Sequence, residues 1–156
     1  FIPLAGLVLL PLCALLVTVR AVCVRARMGR REFSFPRALK FQLVGILLCT
    51  PVLICLNYLR DFEPIAKVAI TGTGVLGFYI ALADIVNGHL GGIYENGVVW
   101  NGSALFYRDL DGYVLPDAVS VLIQTRNRER RIIVPDSAPV LDRLVAKLET
   151  VSAPLP

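Results

Sequence analysis

The chain has 156 residues, a formal net charge of +4 and a mean hydropathy of +0.67. Hydrophobic residues make up 56% of it and charged residues 18%, which excludes an ordinary soluble domain and a disordered protein. Its four cysteines are too few, at this length, for a secreted disulfide scaffold. The composition therefore predicts a membrane-embedded part joined to a small folded part.

Three stretches of about 19 residues contain neither Lys nor Arg. A helix of that length measures roughly 28 Å, close to the hydrocarbon thickness of a bilayer. We therefore predict three transmembrane helices, at about 1–19, 41–59 and 68–86, in a membrane domain that covers residues 1–90. A signal peptide is the less favoured interpretation of the first stretch, because no basic residue precedes it and arginines follow it. A further helix before Phe1 stays open.

The basic residues indicate an orientation. Residues 20–40 contain seven basic residues and one acidic residue, whereas residues 60–67 contain two of each. Because Lys and Arg near helix ends are retained in the cytoplasm, we expect the first loop and the C-terminal part to be cytoplasmic. The predicted localisation is a multi-pass protein of the plasma membrane, in bacteria the inner membrane.

The third helix contains a stripe of small residues, Ala69, Thr73, Gly77 and Ala81, at intervals of four. Such a stripe lets a second helix approach closely, so we predict a helix-packing interface there. Gly72, Gly74 and Gly77 also spell a G-x-G-x-x-G pattern. We reject a nucleotide site because no strand and turn accompany the pattern.

Two polar residues near the end of this helix are candidates for function. Asp84 is an intramembrane carboxylate, and an interface role is favoured over transport because no second ionisable group lies inside the helices. His89 is the single histidine, which excludes two-histidine metal sites and Ser/His/Asp catalysis. A role of His89 as sole ligand of a pigment or haem is the less favoured reading. We expect no enzyme activity, no catalytic residues, no cofactor and no metal.

After Leu90 the sequence changes to short apolar segments separated by turn signals. Ile93–Glu95 and Val98–Trp100 flank Asn96-Gly97, which predicts a hairpin with a two-residue type I′ turn. A third segment, Leu105–Tyr107, extends the meander. These segments open a predicted cytoplasmic β-domain over residues 91–150.

A second hairpin is predicted from Val119–Thr125 and Arg131–Val134. The strand count is about five, or six if Gly112–Leu115 also pairs. A helix then follows, capped by Asp136 or Ser137, with apolar residues at helical spacing that close one end of the sheet. Residues 151–156 form a tail. The predicted fold class is an α+β membrane protein: three transmembrane helices, a small antiparallel β-domain and a C-terminal helix.

The order of elements, with the segments "GIYENGVVW" and "LFYRDLDGY", resembles small bacterial membrane proteins that carry a C-terminal pleckstrin-homology-like domain of the YcxB-like kind. The aromatic and acidic segment of that family is approximated by Phe106, Tyr107, Asp109, Leu110 and Tyr113. The chain departs from the pattern in having Tyr107 and Arg108 where Trp is commoner. The resemblance implies a pleckstrin-homology-like half-barrel and a scaffold or interaction role, without shared catalytic residues.

Arginines concentrate at two places where they could contact anionic lipid headgroups. These are Arg25, Arg27, Arg30 and Arg31 in the first loop, and Arg126, Arg128, Arg130 and Arg131 in the second hairpin. A solvated turn is the alternative reading of the second group. Nucleic acid is not an expected partner, because the region from Gly91 onward has eight acidic and seven basic residues.

The function expected from these observations is a non-enzymatic accessory or scaffolding subunit of a larger membrane complex. Its expected partners are membrane lipids and other membrane protein subunits. The alternative is a regulatory protein that senses anionic lipids. A cofactor-binding or transport subunit, based on Asp84 and His89, is the least favoured of the three.

Overall fold

The computed structural model describes residues 1–35, 40–126, 130–135 and 138–151. Three long helices are each long and apolar enough to cross a membrane. They are α1 (Ile2–Met28), α2 (Phe41–Leu59) and α3 (Pro64–Leu90). The second has the predicted bounds, whereas α1 and α3 continue beyond theirs. The predicted bounds covered only the apolar runs. Helix α1 continues past its run because Arg and Ala are good helix formers. Helix α3 begins earlier than its run because Pro64 suits the first position of a helix.

The described residues group into two compact units. The helical unit contains residues 1–23 and 38–89, and the β-unit contains residues 24–37 and 90–156. The end of α1 and the segment after it therefore belong to the β-unit. From its charges, the same segment is predicted to be a basic loop.

The unpredicted element is a strand in this segment, β1 (Arg31–Ser34), which pairs antiparallel with β2 (Gly92–Tyr94). The pairing joins residues about 60 positions apart, because Ser34 lies opposite Gly92. Helices α2 and α3 are thus inserted between two neighbouring strands of one sheet. The run of arginines around β1 concealed its short alternation of Phe33 and Phe35.

Strands β2, β3 (Gly97–Trp100) and β4 (Ser103–Phe106) form the predicted meander, in a four-stranded sheet of order β1-β2-β3-β4. The prediction of a type I′ turn at Asn96-Gly97 is wrong, since among the described residues the only non-glycine with positive φ is Asn101. The two-residue turn lies instead at Asn101-Gly102, with φ of 45° and 75°, between the paired Trp100 and Ser103.

Asn96 forms hydrogen bonds with the end of α1. The backbone N–H of Asn96 donates to the Met28 carbonyl, and that of Glu95 donates to the Arg30 carbonyl. These bonds tie the first hairpin to the end of α1, and the two residues that connect its strands do not adopt the positive φ of a type I′ turn. The predicted hairpin is confirmed, but the residues of its loop form hydrogen bonds with the end of α1.

A short 3₁₀ turn (Tyr107–Asp109) leads to a second, three-stranded sheet of order β5-β6-β7. Its strands are β5 (Leu110–Asp117), β6 (Ser120–Thr125) and β7 (Arg130–Ile133). The second hairpin and the pairing of Gly112–Leu115 are confirmed. With β1 added, the described strands number seven rather than five or six.

The C-terminal helix is α4 (Ala138–Val151), and its predicted caps, Asp136 and Ser137, lie outside the described residues. Its apolar side carries Leu144 and Leu148, both fully buried in one core with Val121, Ile123 and Ile133 of the second sheet. Spacing of three and four residues puts these leucines on one face of the helix, so burial of that face holds α4 on the sheet. The α+β architecture with a closing helix is therefore observed.

Candidate interaction surfaces

Inside the helical unit, α2 and α3 are joined by a polar contact centred on Asn57. The Asn57 side chain is only 1% exposed. Its Nδ2 lies 3.0 Å from both the Lys67 carbonyl oxygen and Thr71 Oγ1, and donates to them. Because the carbonyl oxygen can only accept, the amide group must point its NH₂ towards α3. Asn57 Oδ1 is consequently buried without a partner among the described residues.

Small residues let the helices approach at this contact. A Cβ added to Gly6 of α1 would overlap Thr71 Cγ2, and one added to Gly74 would lie 3.4 Å from Thr50 Cγ2. Ile54, fully buried, lies near both glycines. Three helices therefore meet where Gly6, Ile54 and Thr71 come together.

The predicted stripe on α3 is only partly the surface that packs inside the unit. Ala81 is fully buried, and Gly77 faces Ile46, at 3.7 Å from the position of its added Cβ. Ala69 and Thr73 are exposed. The internal packing of α3 instead uses Thr71 and Gly74, which sequence analysis did not select because it followed intervals of four alone.

The two polar candidates, Asp84 and His89, lie near the end of α3. Asp84 is half-buried, and His89 is exposed in the last turn of the helix. In the ranges that the structure describes, no group of three or more His, Cys, Asp or Glu side chains could hold a metal ion.

The arginines of the first loop are exposed. Arg25 and Arg27 lie in the last turn of α1, and Arg30 and Arg31 follow it. In the second hairpin Arg126 is exposed, while Arg131 Nη1 donates to Ser103 Oγ at 2.6 Å and so joins the two sheets. Arg130 lies in β7, and Arg128 lies outside the described residues.

A cleft of about 500 Å³ lies beside the end of α1, lined by Arg27, Glu95, Asn96, Phe106 and neighbours. Its polar groups already serve the fold, since Asn96 Nδ2 donates to the Arg27 carbonyl at 3.3 Å. The C-terminal end of a helix carries a partial negative charge, and Glu95 adds a full one. Arg27 and Arg108 of the lining carry positive charges, so the cleft presents both signs. We interpret it as the joint between α1 and the first hairpin.

Strand β1 is attached to α4 by side chains as well as to β2 by its backbone. Lys147 Nζ donates to Glu32 Oε1 at 2.7 Å, and the Arg143 guanidinium lies 4.6 Å from the centre of the Phe33 ring.

Burial raises the pKa of the Tyr107 phenol, and the charge of Glu32 raises it further. Tyr107 therefore stays protonated at physiological pH, with its hydroxyl buried and unpaired in the described part of the chain.

A second cleft, of about 660 Å³, lies between α4 and the end of the β5–β6 hairpin, and we call it the α4 groove. Its apolar lining includes Leu115, which is 49% exposed, together with Leu141 and Val145. Its charged lining consists of Asp117, Asp142 and Glu149. The groove is an open apolar surface bordered by carboxylates, and it has the chemistry of a docking site rather than of a catalytic one.

The α4 groove was not predicted from the sequence. Asp142 and Glu149 are seven residues apart and so share one helix face, which is the signal that could have found its acidic side. The opposite wall could not be found, because β5 and α4 are brought together only by the tertiary fold. No protein-family model, curated protein or solved structure matches this chain.

Proposed function

We propose that the protein is a non-enzymatic accessory or scaffolding subunit of a larger complex in the bacterial inner membrane. In this proposal α1, α2 and α3 cross the bilayer, and the β-unit, a pleckstrin-homology-like domain, docks on the cytoplasmic face of a partner. The length and apolar character of the helices support the first part. The described strands form two antiparallel sheets with a closing helix, and this arrangement is the observation behind the second part.

The cytoplasmic placement of the β-unit rests on the basic residues at its entry. Arg25 and Arg27 end α1, and Arg30 follows. Lys and Arg at such positions are retained in the cytoplasm. The loop between α2 and α3, with one basic residue, Arg60, against Asp61 and Glu63, would then lie outside.

The observation that carries the proposal is the α4 groove. Leu115 and Val119 are 49% and 62% exposed, at and beside the groove, and neither belongs to the buried core of the unit. Exposed apolar surface of this kind is typical of a site that a partner covers. The β-unit is also small, so it gains stability from a partner surface.

We expect the full-length protein, extracted in a mild detergent, to appear in native mass spectrometry with a second protein at fixed stoichiometry. Leu115→Asp places a charge in the groove, and we expect it to remove at least 90% of that complex. Val134→Asp is the matched control, because Val134 is 50% exposed and does not line the groove. Recovery of the unmodified protein solely as a monomer would contradict the proposal.

A second candidate function is the recognition of anionic lipids, and the exposed arginines at the end of α1 favour it. Each basic residue near an anionic surface contributes roughly 1 kcal/mol. We expect the triple variant Arg25→Gln, Arg27→Gln, Arg30→Gln to retain several-fold less phosphatidylglycerol when it is purified with its native lipids. Arg60→Gln, at the other end of α2, is the control. Equal phosphatidylglycerol in the triple variant and the unmodified protein would exclude this role.

A further inference from the structure

We infer that the α4 groove takes a basic amphipathic helix of the partner protein, with an apolar stripe that enters the groove and Lys or Arg on its flanks. The inference rests on the proposed function, since it specifies the chemistry of the partner that the accessory subunit docks. Three features of the groove carry it: the distribution of charge around α4, the backbone of β5 and the length of the acidic border.

The charges of α4 are divided between its two sides. Arg143 and Lys147 are turned towards β1, where they contact Phe33 and Glu32. Asp142 and Glu149 line the groove, and within the described ranges neither carboxylate forms an ion pair. Among the residues that the structure describes, the groove lining therefore has acidic and apolar groups and no basic group. A cationic occupant complements it, and an anionic one is repelled.

The opposite wall disfavours a partner that binds as an added strand. Pro116 has no backbone N–H, and the β5–β6 register is irregular between Val114 and Asp117. An extended peptide would leave many of its own backbone groups unpaired along this wall. A helix satisfies its backbone internally and needs only side-chain contacts, so it suits the groove better.

The distance between the carboxylates that border the groove predicts the spacing of the basic residues on the partner helix. Asp142 and Glu149 are separated by two helical turns, about 10 Å along α4. The third carboxylate, Asp117, stands on the facing wall and accepts a hydrogen bond from Ser120 at 3.3 Å. A partner helix with two basic residues about seven positions apart, and Leu, Ile or Val between them, matches this arrangement.

The test is photo-crosslinking from the groove in native membranes. p-Benzoylphenylalanine is introduced at Ala146, an exposed residue of the groove lining, in the full-length chain. After irradiation, the crosslinked peptide of the partner is identified by mass spectrometry. We expect a helical segment with at least two Lys or Arg residues beside an apolar stripe.

Charge reversal on the same background tests the electrostatic part. The double variant Asp142→Lys, Glu149→Lys is expected to reduce the crosslink yield at least tenfold. The milder Asp142→Asn, Glu149→Gln is expected to reduce it several-fold, which guards against a folding defect in the first variant. Asp111→Lys, an exposed carboxylate outside the groove, is the control and should leave the yield unchanged.

The outcomes separate the inference from the proposed function. A crosslink to a segment without basic residues, or a yield that charge reversal leaves unaltered, overturns the inference while the accessory role stands. No crosslink, together with a monomer in native mass spectrometry, overturns both. A basic segment whose crosslink depends on Asp142 and Glu149 supports both.

Discussion

Replacement of Gly92 by alanine is expected to detach β1 from its sheet and to lower the free energy of unfolding of the β-unit by about 3 kcal/mol. Gly92 is buried in β2 opposite Ser34 of β1. A Cβ at this position would overlap the carbonyl oxygen of Phe33, which is backbone and cannot rotate away. The two strands must separate to admit even one methyl group.

Hydrogen–deuterium exchange of the full-length protein in detergent measures this effect. We expect the amides of β1 to lose most of their protection in Gly92→Ala, while those of the β5–β6 hairpin change less. Gly72→Ala is the matched control, because nothing lies within 4 Å of the Cβ that it adds. Unchanged protection of β1 in Gly92→Ala would show that the β1–β2 pairing is not part of the stable fold.

The β1–β2 pairing matters because it determines how the chain is shared between the units. The chain passes from one unit to the other three times, after residues 23, 37 and 89. The β-unit is therefore not a tail that follows a membrane anchor, as hydropathy alone predicts. It is completed by a strand that the chain supplies before α2 and α3, so the helical pair is an insertion into the β-unit.

The predictability of the fold depended on whether the signal was local. The three apolar helices, the two hairpins and α4 follow from runs and periodicities that lie within about 20 residues. Strand β1 has four residues, of which Arg31 and Glu32 are charged and exposed, and its partner lies about 60 positions away. Nothing local distinguishes such a strand from a solvated basic loop.

The position of the type I′ turn at Asn101-Gly102 also depends on contacts that are distant in the sequence. Two Asn-Gly pairs compete for the type I′ geometry, and both satisfy the local rule. Only the second adopts positive φ, whereas the loop of the first hairpin forms hydrogen bonds to Met28 and Arg30. A tertiary contact overrides the stronger-looking local signal.

The candidate surfaces were predicted less well than the fold. The arginines at the end of α1 could be selected because exposure follows from charge. The α4 groove joins Leu115 to Val145 across the fold, and the contact between Asn57 and Thr71 depends on the register of two helices. Both are combinations of ordinary residues, which no spacing rule identifies before the tertiary structure is known.

The second large effect is expected from Gly6→Leu, which should release α1 from the helical unit at a cost of about 2 kcal/mol. Even a Cβ on Gly6 would overlap Thr71 Cγ2. Thr71 can escape only by rotating its side chain, which would remove Oγ1 from Asn57 Nδ2, its partner at 3.0 Å. Asn57, already with an unpaired Oδ1 in the described structure, would then lose half of its remaining hydrogen bonds.

Cys13, one of the two native cysteines of α1, reports the release. Cys13 is partly buried, whereas Cys23, Cys49 and Cys55 are exposed and can be replaced by serine. In that background we expect Gly6→Leu to raise the rate at which N-ethylmaleimide modifies Cys13 several-fold and to lower the midpoint of thermal unfolding in detergent. Gly72→Leu, next to Thr71 but facing open space, should change neither. If both leucine variants behave alike, the loss of stability comes from added bulk in general, and the contact between α1 and Thr71 does not hold the three helices together.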